Sequence, residues 1–314
     1  MNNVVLVYSD GFRKLDFGQG HPMRGDRYGK ALDEFRNMGL LDDVSIREPK
    51  LIPEDIIGLF HTQEYINQIK QLSELGEGVY GGEVPAIKGL FDIILLSVSA
   101  SVTAADYVLG DDSFDVSVNI CGGWHHAFES ESRGFCIFND VAVTANYLVE
   151  RKNIDRIMVL DYDAHHGDGT QRAFYGKSDV YTVSFHQDPS TIYPFRSGYE
   201  NEIGKGEGEG FNQNYCLSSF CGDDEFISRF SEVSSLIDEF RPGVLILQMG
   251  VDGSRGCTIS NMQLTSKSYD YASSLLMRLQ KKHNFKTVVL GGGGFVHPML
   301  GQHWGVQLKN FLDK

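Results

Sequence analysis

Asp161-Tyr162-Asp163-Ala164-His165-His166-Gly167-Asp168-Gly169 puts three carboxylates and two imidazoles within nine residues. The stretch follows Ile157–Leu160, an aliphatic run that reads as a buried strand. Carboxylates and imidazoles desolvate poorly, so at a strand end they must be paired, hydrated or bound to a metal. One such residue alone would read as part of a polar turn, whereas this density reads as a site. If the segment stays extended, alternation puts Asp161, Asp163 and His165 on one side. The distant Asp252 would then complete an open metal site of two carboxylates and one imidazole, and hydrolysis needs that open position.

Further from this stretch, short aliphatic runs alternate with longer amphipathic ones, the order expected of an α/β fold with a parallel sheet covered by helices on both faces. The strand candidates are Val4–Val7, Val116–Ile120, Ile157–Leu160, Val180–Val183, Val244–Gln248 and Thr287–Leu290. Helices are expected near Arg27–Met38, Gln63–Leu75, Leu90–Leu109, Val141–Arg151, Asp224–Glu239 and Ser266–Lys281. The unusual residues sit just after strands, where open α/β sheets bind ligands. His125-His126, Asp161 to Asp168, Asp252, and Gly291 to Gly294 each follow one.

A second signal is Gly122-Gly123-Trp124-His125-His126, followed by Gly134-Phe135-Cys136 and Asn139-Asp140. A lone core histidine is usually a satisfied hydrogen-bonding group. Two adjacent ones after a glycine pair suit amide hydrolysis, which needs one group to take a proton from water and another to protonate the leaving amine.

Composition sets the remaining bounds. With 314 residues and 41% hydrophobic content, the chain can bury a substantial core. The Gly-rich stretch Gly204 to Gly210 is short and reads as a surface loop, so residues 1–314 are expected to form a single domain. No basic-then-apolar leader opens the chain, and no apolar run is expected to approach the ~20 residues of a membrane span. Five cysteines without CxxC spacing suggest neither disulfides nor a cysteine zinc site, and a cytoplasmic location is expected. A net charge of -14 argues against stable nucleic-acid binding and suits a cationic substrate, although acidity also serves solubility alone.

Taken in order, these motifs make the chain resemble the superfamily of histone deacetylases, acetoin utilization proteins and acetylpolyamine amidohydrolases. Phe17 to Met23, Arg27 and Phe60-His61-Thr62-Gln63-Glu64-Tyr65 come first, then His125-His126, Gly134-Phe135-Cys136 and Asp161 to Gly169. Thr182 to His186, Gly250-Val251-Asp252 and Gly291 to Gly294 complete the series. The resemblance implies a three-layer arginase/deacetylase-like fold and a metal-dependent deacylase. Asp163, His165 and Asp252 would bind Zn2+, with Fe2+ as an alternative. His126 would be general base and proton shuttle and His125 its electrostatic partner, with Asp161 and Asp168 orienting them. A structural K+ or Na+ would sit at Asp161, Asp163, His165 and Ser184. Gly134, Phe135, Tyr193, Ile259 and Gly293 would line the acyl tunnel, with Glu83 at its rim.

The sequence departs from the family most sharply at Phe295, after the four glycines, where active deacetylases place a tyrosine that donates to the substrate carbonyl. Losing such a donor typically costs ~100- to 1,000-fold in turnover. Three readings follow: His297 replaces the hydroxyl; the substrate is an activated acyl group or another amide or ester that needs less polarisation; or the protein is an acyl-ligand-binding pseudoenzyme. Glu83 stands where family members commonly have aspartate, and Cys257 where an acid is frequent. An arginase-type hydrolase is a rival that needs two manganese ions, for which Gly253-Ser254-Arg255 after Asp252 provides poorly. The expected partner is an acylated cationic small molecule or an acyl-lysine protein, with no membrane.

Overall fold

The structure is a computed structural model that describes residues 2–18, 20–81, 84–110, 113–295 and 298–313. Among these residues the strands are β1 (Val4–Val7), β2 (Ser45–Arg47), β3 (Val79–Tyr80), β4 (Val84–Pro85), β5 (Val116–Asn119), β6 (Ile157–Asp161), β7 (Val180–Gln187), β8 (Asn212–Leu217), β9 (Val244–Gln248) and β10 (Lys286–Leu290). The helices are α1 (Asp26–Asn37), α2 (Glu54–Ile57), α3 (Gln63–Leu75), α4 (Leu90–Leu109), α5 (Asp140–Lys152), α6 (Asp168–Phe174), α7 (Asp223–Phe230), α8 (Val233–Phe240), α9 (Ser266–His283) and α10 (Leu300–Phe311). β3 and β4 form a small antiparallel ladder. The other eight strands form one sheet in the order β2-β1-β5-β10-β9-β6-β7-β8. All of its neighbouring pairs are parallel.

β1, β5, β6, β7 and β9 are buried at every residue, which explains why most of them read as continuous aliphatic runs rather than alternating ones. Helices surround the sheet: α4 packs on β1, β5, β10 and α5, while α10 packs on α1 and α9. The stretch expected as one helix from 224 to 239 is two, α7 and α8, because the chain turns at Ser231-Glu232. The expectation that no apolar run nears the length of a membrane span does not hold for α4. Its 20 residues are long and apolar enough by length and composition alone. They are spent on packing, with Ser97, Ser99, Ser101 and Thr103 buried; Ser97 Oγ donates to the Cys121 carbonyl at 2.6 Å.

On the β7–β8 side the core is aromatic. Phe185 stacks on Tyr215 with centroids 4.2 Å apart and meets Phe230 at 5.0 Å. Phe185→Ala is expected to destabilise the fold by ~3–5 kcal/mol, read from the urea midpoint at unchanged m-value.

Strand order fixes where chemistry can occur. β5, β10, β9 and β6 are consecutive in the sheet, so their carboxyl ends open side by side. The segments 120–127, 291–295, 249–254 and 162–168 follow those ends and therefore meet, although they lie far apart in the chain.

Candidate active site

The strand conformation of β6 stops at Asp161, so the alternation expected through His165 does not extend that far. Asp161 turns instead to His125, whose Nδ1 lies 2.6 Å from Asp161 Oδ2. Asp163 and His165 do converge with Asp252. One ligand atom from each of the three lies within 4.8 Å of the others, and all three residues are buried.

The surroundings of this group fit a divalent cation. His165 Nε2 is 3.2 Å from the Ile259 carbonyl; a proton held there to donate to it leaves Nδ1 as the lone-pair atom. Nδ1 faces Asp252 Oδ2 at 2.7 Å and Asp163 Oδ1 at 3.1 Å. Asp163 Oδ2 accepts from Gln248 Nε2 at 3.0 Å and from the Gly293 N–H at 2.8 Å, and Asp252 Oδ1 accepts from the Ala164 N–H at 2.8 Å. Burial and repulsion from Asp163 raise the Asp252 carboxyl to about 6, so two carboxylates here call for a positive charge between them. Burial opposes a charge on His165, but with no cation between them Asp252 and Asp163 outweigh it and raise the imidazole to about 10, so a bound metal would take the place of the Nδ1 proton.

Gly293 closes the group from the β10 side. A Cβ there would lie 2.5 Å from Asp252 Oδ2 and 2.7 Å from Asp163 Oδ2. Gly293→Ala is expected to weaken zinc binding by ~10- to 100-fold in chelator competition, and unchanged affinity would show that the ligands tolerate the shift.

The two histidines on the loop after β5 face one another, Nε2 to Nε2, at 3.1 Å. His126 Nδ1 lies 2.7 Å from Asp168 Oδ1, whose other oxygen accepts from Arg133 at 3.2 Å. Burial disfavours a charge on either ring. For His125 the Asp161 and Asp163 carboxylates overcome it and raise the pKa to about 9. In His126, burial and then the neighbouring His125 charge lower the pKa to about 4 despite Asp168. A dication nearby adds repulsion against both protonated forms.

A cavity of about 500 Å³ leads to these groups. Gly134, Phe135, Tyr193, Ile259, Gly293 and Phe295 line it together with His125, His126, Asp163, His165 and Asp252. Tyr193 stands edge-on to His126 at 4.9 Å and Phe135 edge-on to Phe295 at 5.7 Å. Phe135 holds φ 69, a left-handed conformation that costs a side-chain-bearing residue on the order of 1–2 kcal/mol and here aims its ring at the tunnel wall. Ser184 pairs in register with Asp161 across β6 and β7, and its hydroxyl meets His186 Nδ1 at 2.8 Å. Glu83 and His297 lie outside the described residues.

The sequence profile of the histone deacetylase domain matches residues 21–311. The chain belongs to the histone deacetylase family. The acetoin utilization protein AcuC of Bacillus subtilis (strain 168) is 32% identical over 305 residues, covering 94% of this chain and 78% of AcuC. Histone deacetylase 1 of Homo sapiens is 31% identical over 320 residues, 98% of this chain and 64% of that protein. Type-1 histone deacetylase 1 of Dictyostelium discoideum is 30% identical over 320 residues, 99% of this chain and 63% of its own length. The chain thus spans just under two thirds of these two histone deacetylases. Membership in the family supports a zinc-dependent deacylase in general terms, and the buried Asp163, His165 and Asp252 group could hold the metal.

Two residues of the site in this family member were not singled out from sequence. Gln248 ends β9, where its Nε2 reaches Asp163 and its Oε1 accepts from the Gly250 N–H at 2.7 Å. A polar residue closing an aliphatic run four positions before Asp252 was the available signal. Arg133, between Ser132 and Gly134, carried none.

Proposed function

We propose that this histone deacetylase family member is a zinc-dependent amidohydrolase that removes an acyl group from a lysine side chain, a polyamine or another small acylated amine. The supporting observation is that Asp163, His165, Asp252 and the His125/His126 pair all border one cavity with aromatic walls. Zn2+ on the three ligands, or Fe2+ in its place, would supply Lewis acidity to the acyl carbonyl and the attacking water. The acyl chain lies between the aromatic walls Phe135, Tyr193 and Phe295. His126 takes the water proton and hands it to the departing amine; its Nδ1–H stays donated to Asp168, which fixes the free nitrogen as Nε2. His125, held by Asp161, is its electrostatic partner. A K+ or Na+ at Asp161, Asp163, His165 and Ser184 would be structural.

Phe295 supplies no hydroxyl to the developing oxyanion, so simple acetamides turn over weakly and acyl groups with more electrophilic carbonyls turn over better. The same residue favours a second reading, in which the chain binds an acylated ligand with little or no turnover. The acidic chain, with net charge -14, suits a cationic carrier, and residues 1–314 would form one domain acting in the cytoplasm with no nucleic-acid or membrane partner.

The test is hydrolysis of matched trifluoroacetyl- and acetyl-lysine fluorogenic peptides by the zinc-loaded protein. The expected result is cleavage of the trifluoroacetyl peptide well above that of the acetyl peptide, abolished in Asp163→Ala, with about one zinc per chain. Tight binding of the acylated peptide without turnover would favour the second reading. Two manganese ions per chain would overturn both.

A further inference from the structure

Asn139 and Asp140 stand next to one another at the start of α5, fully buried, and neither lines the cavity. Asp140 Oδ1 accepts from the Trp124 N–H at 2.7 Å and the Gly123 N–H at 3.1 Å, while Oδ2 accepts from Ser101 Oγ at 2.5 Å. Asn139 works on the other side of the same loop. Its Nδ2 donates to the carbonyls of His125 at 3.1 Å and Ala127 at 3.2 Å, and its Oδ1 accepts from the Ala142 N–H at 2.9 Å, capping α5.

Two adjacent side chains therefore hold the N–H groups entering the histidine pair and the carbonyls leaving it. The loop needs such restraint. It begins Gly122-Gly123, with Gly123 at φ 92, and residues without a Cβ lose more conformational freedom when the chain is fixed than any others. The rings it carries must also keep short bonds, 2.6 Å to Asp161 and 2.7 Å to Asp168, while their Nε2 atoms stay 3.1 Å apart. A carboxylate and an amide placed fully out of water are retained where their polar atoms have partners, and here this loop supplies four of them, the Gly123 and Trp124 N–H groups and the His125 and Ala127 carbonyls.

We propose that Asn139 and Asp140 are positioning residues that clamp the backbone of residues 123–127 and so set His125 and His126 in register for proton transfer. The proposal rests on the deacylase reading for its kinetic consequence but not for its structural one. Displacing an acid–base group by about 1 Å costs ~100-fold in rate, which is the scale expected if the clamp is opened.

Asn139→Ser separates this role from helix capping, because serine remains an effective N-cap yet carries no amide to hold two carbonyls. Asn139→Thr, which also caps without an amide, serves if the serine variant folds poorly. In either variant, kcat on the trifluoroacetyl-lysine peptide is expected to fall ~100-fold with KM and zinc content unchanged. In histidine-15N-labelled protein, the downfield Nδ1–H signals of His125 and His126 are expected to shift and broaden. If both signals stay as in wild type, or if kcat falls only in proportion to lost zinc or lost folded protein, the clamp is overturned. If wild type cleaves no peptide, the deacylase reading fails alone, and the imidazole signals still decide the clamp.

Discussion

Phe295→Tyr is expected to raise turnover of the acetyl-lysine peptide by ~100- to 1,000-fold, the usual worth of one oxyanion donor in a water-excluded site. Phe295 is partly buried against the core, lines the cavity, and lies under the Arg27 guanidinium, whose carbon is 4.7 Å from its ring centroid. That environment already accommodates an aromatic ring of the right shape, so the substitution adds a hydroxyl without rebuilding the wall. The gain should appear in kcat more than in KM, because the hydroxyl matters most as negative charge gathers on the carbonyl oxygen. The trifluoroacetyl peptide, with a carbonyl already electrophilic, should gain less, so the ratio between the two substrates narrows. Steady-state kinetics on both peptides checks this. If acetyl turnover does not move, the missing hydroxyl is not what limits the reaction, and the binding-protein reading gains.

His126→Ala is expected to lower kcat by ~100- to 10,000-fold, the range for a lost general acid–base group, while zinc content and KM stay near wild type. His126 supports this split because its ring meets Tyr193 and His125 but lies 6.1 Å, centroid to centroid, from His165, outside the ligand set. Removing it leaves Asp168 buried and without its imidazole partner, although Arg133 stays 3.2 Å away, so some loss of thermal stability should accompany the loss of rate. Zinc analysis by emission spectroscopy beside single-turnover kinetics separates the two effects. Loss of metal in His126→Ala would mean that the ring also shapes the ligand pocket.

The central strands were legible because parallel strands covered on both faces must be aliphatic throughout, and β1 and β9 match their expected limits. β8 was not singled out, because Asn212-Gln213-Asn214 breaks the continuous aliphatic run expected of a covered parallel strand. Its asparagines are nevertheless buried, and both donate to Gln171 Oε1 at 2.9 Å, a network no local pattern announces. α10 was missed for a related reason: Gly301 and Gly305 lower its helix propensity, and packing against α1 and α9 restores the helix. At the site, the residue types and their clustering were readable, but the direction of Asp161 was not. Alternation assumed an extended chain past the point where β6 ends, and the side chain pairs with His125 instead.

The position of β10 bears on how the molecule is made. It lies between β5 and β9 in the sheet yet comes last of all the described strands in the chain. During synthesis, everything up to residue 285 can emerge while the sheet still has a gap at its centre, with one edge of β5 and one of β9 unpaired. Such edges are templates for pairing with other chains. A ribosome stalled before Lys286 should therefore hold an aggregation-prone nascent chain in two unjoined halves, and chaperone occupancy should drop as β10 emerges and joins them.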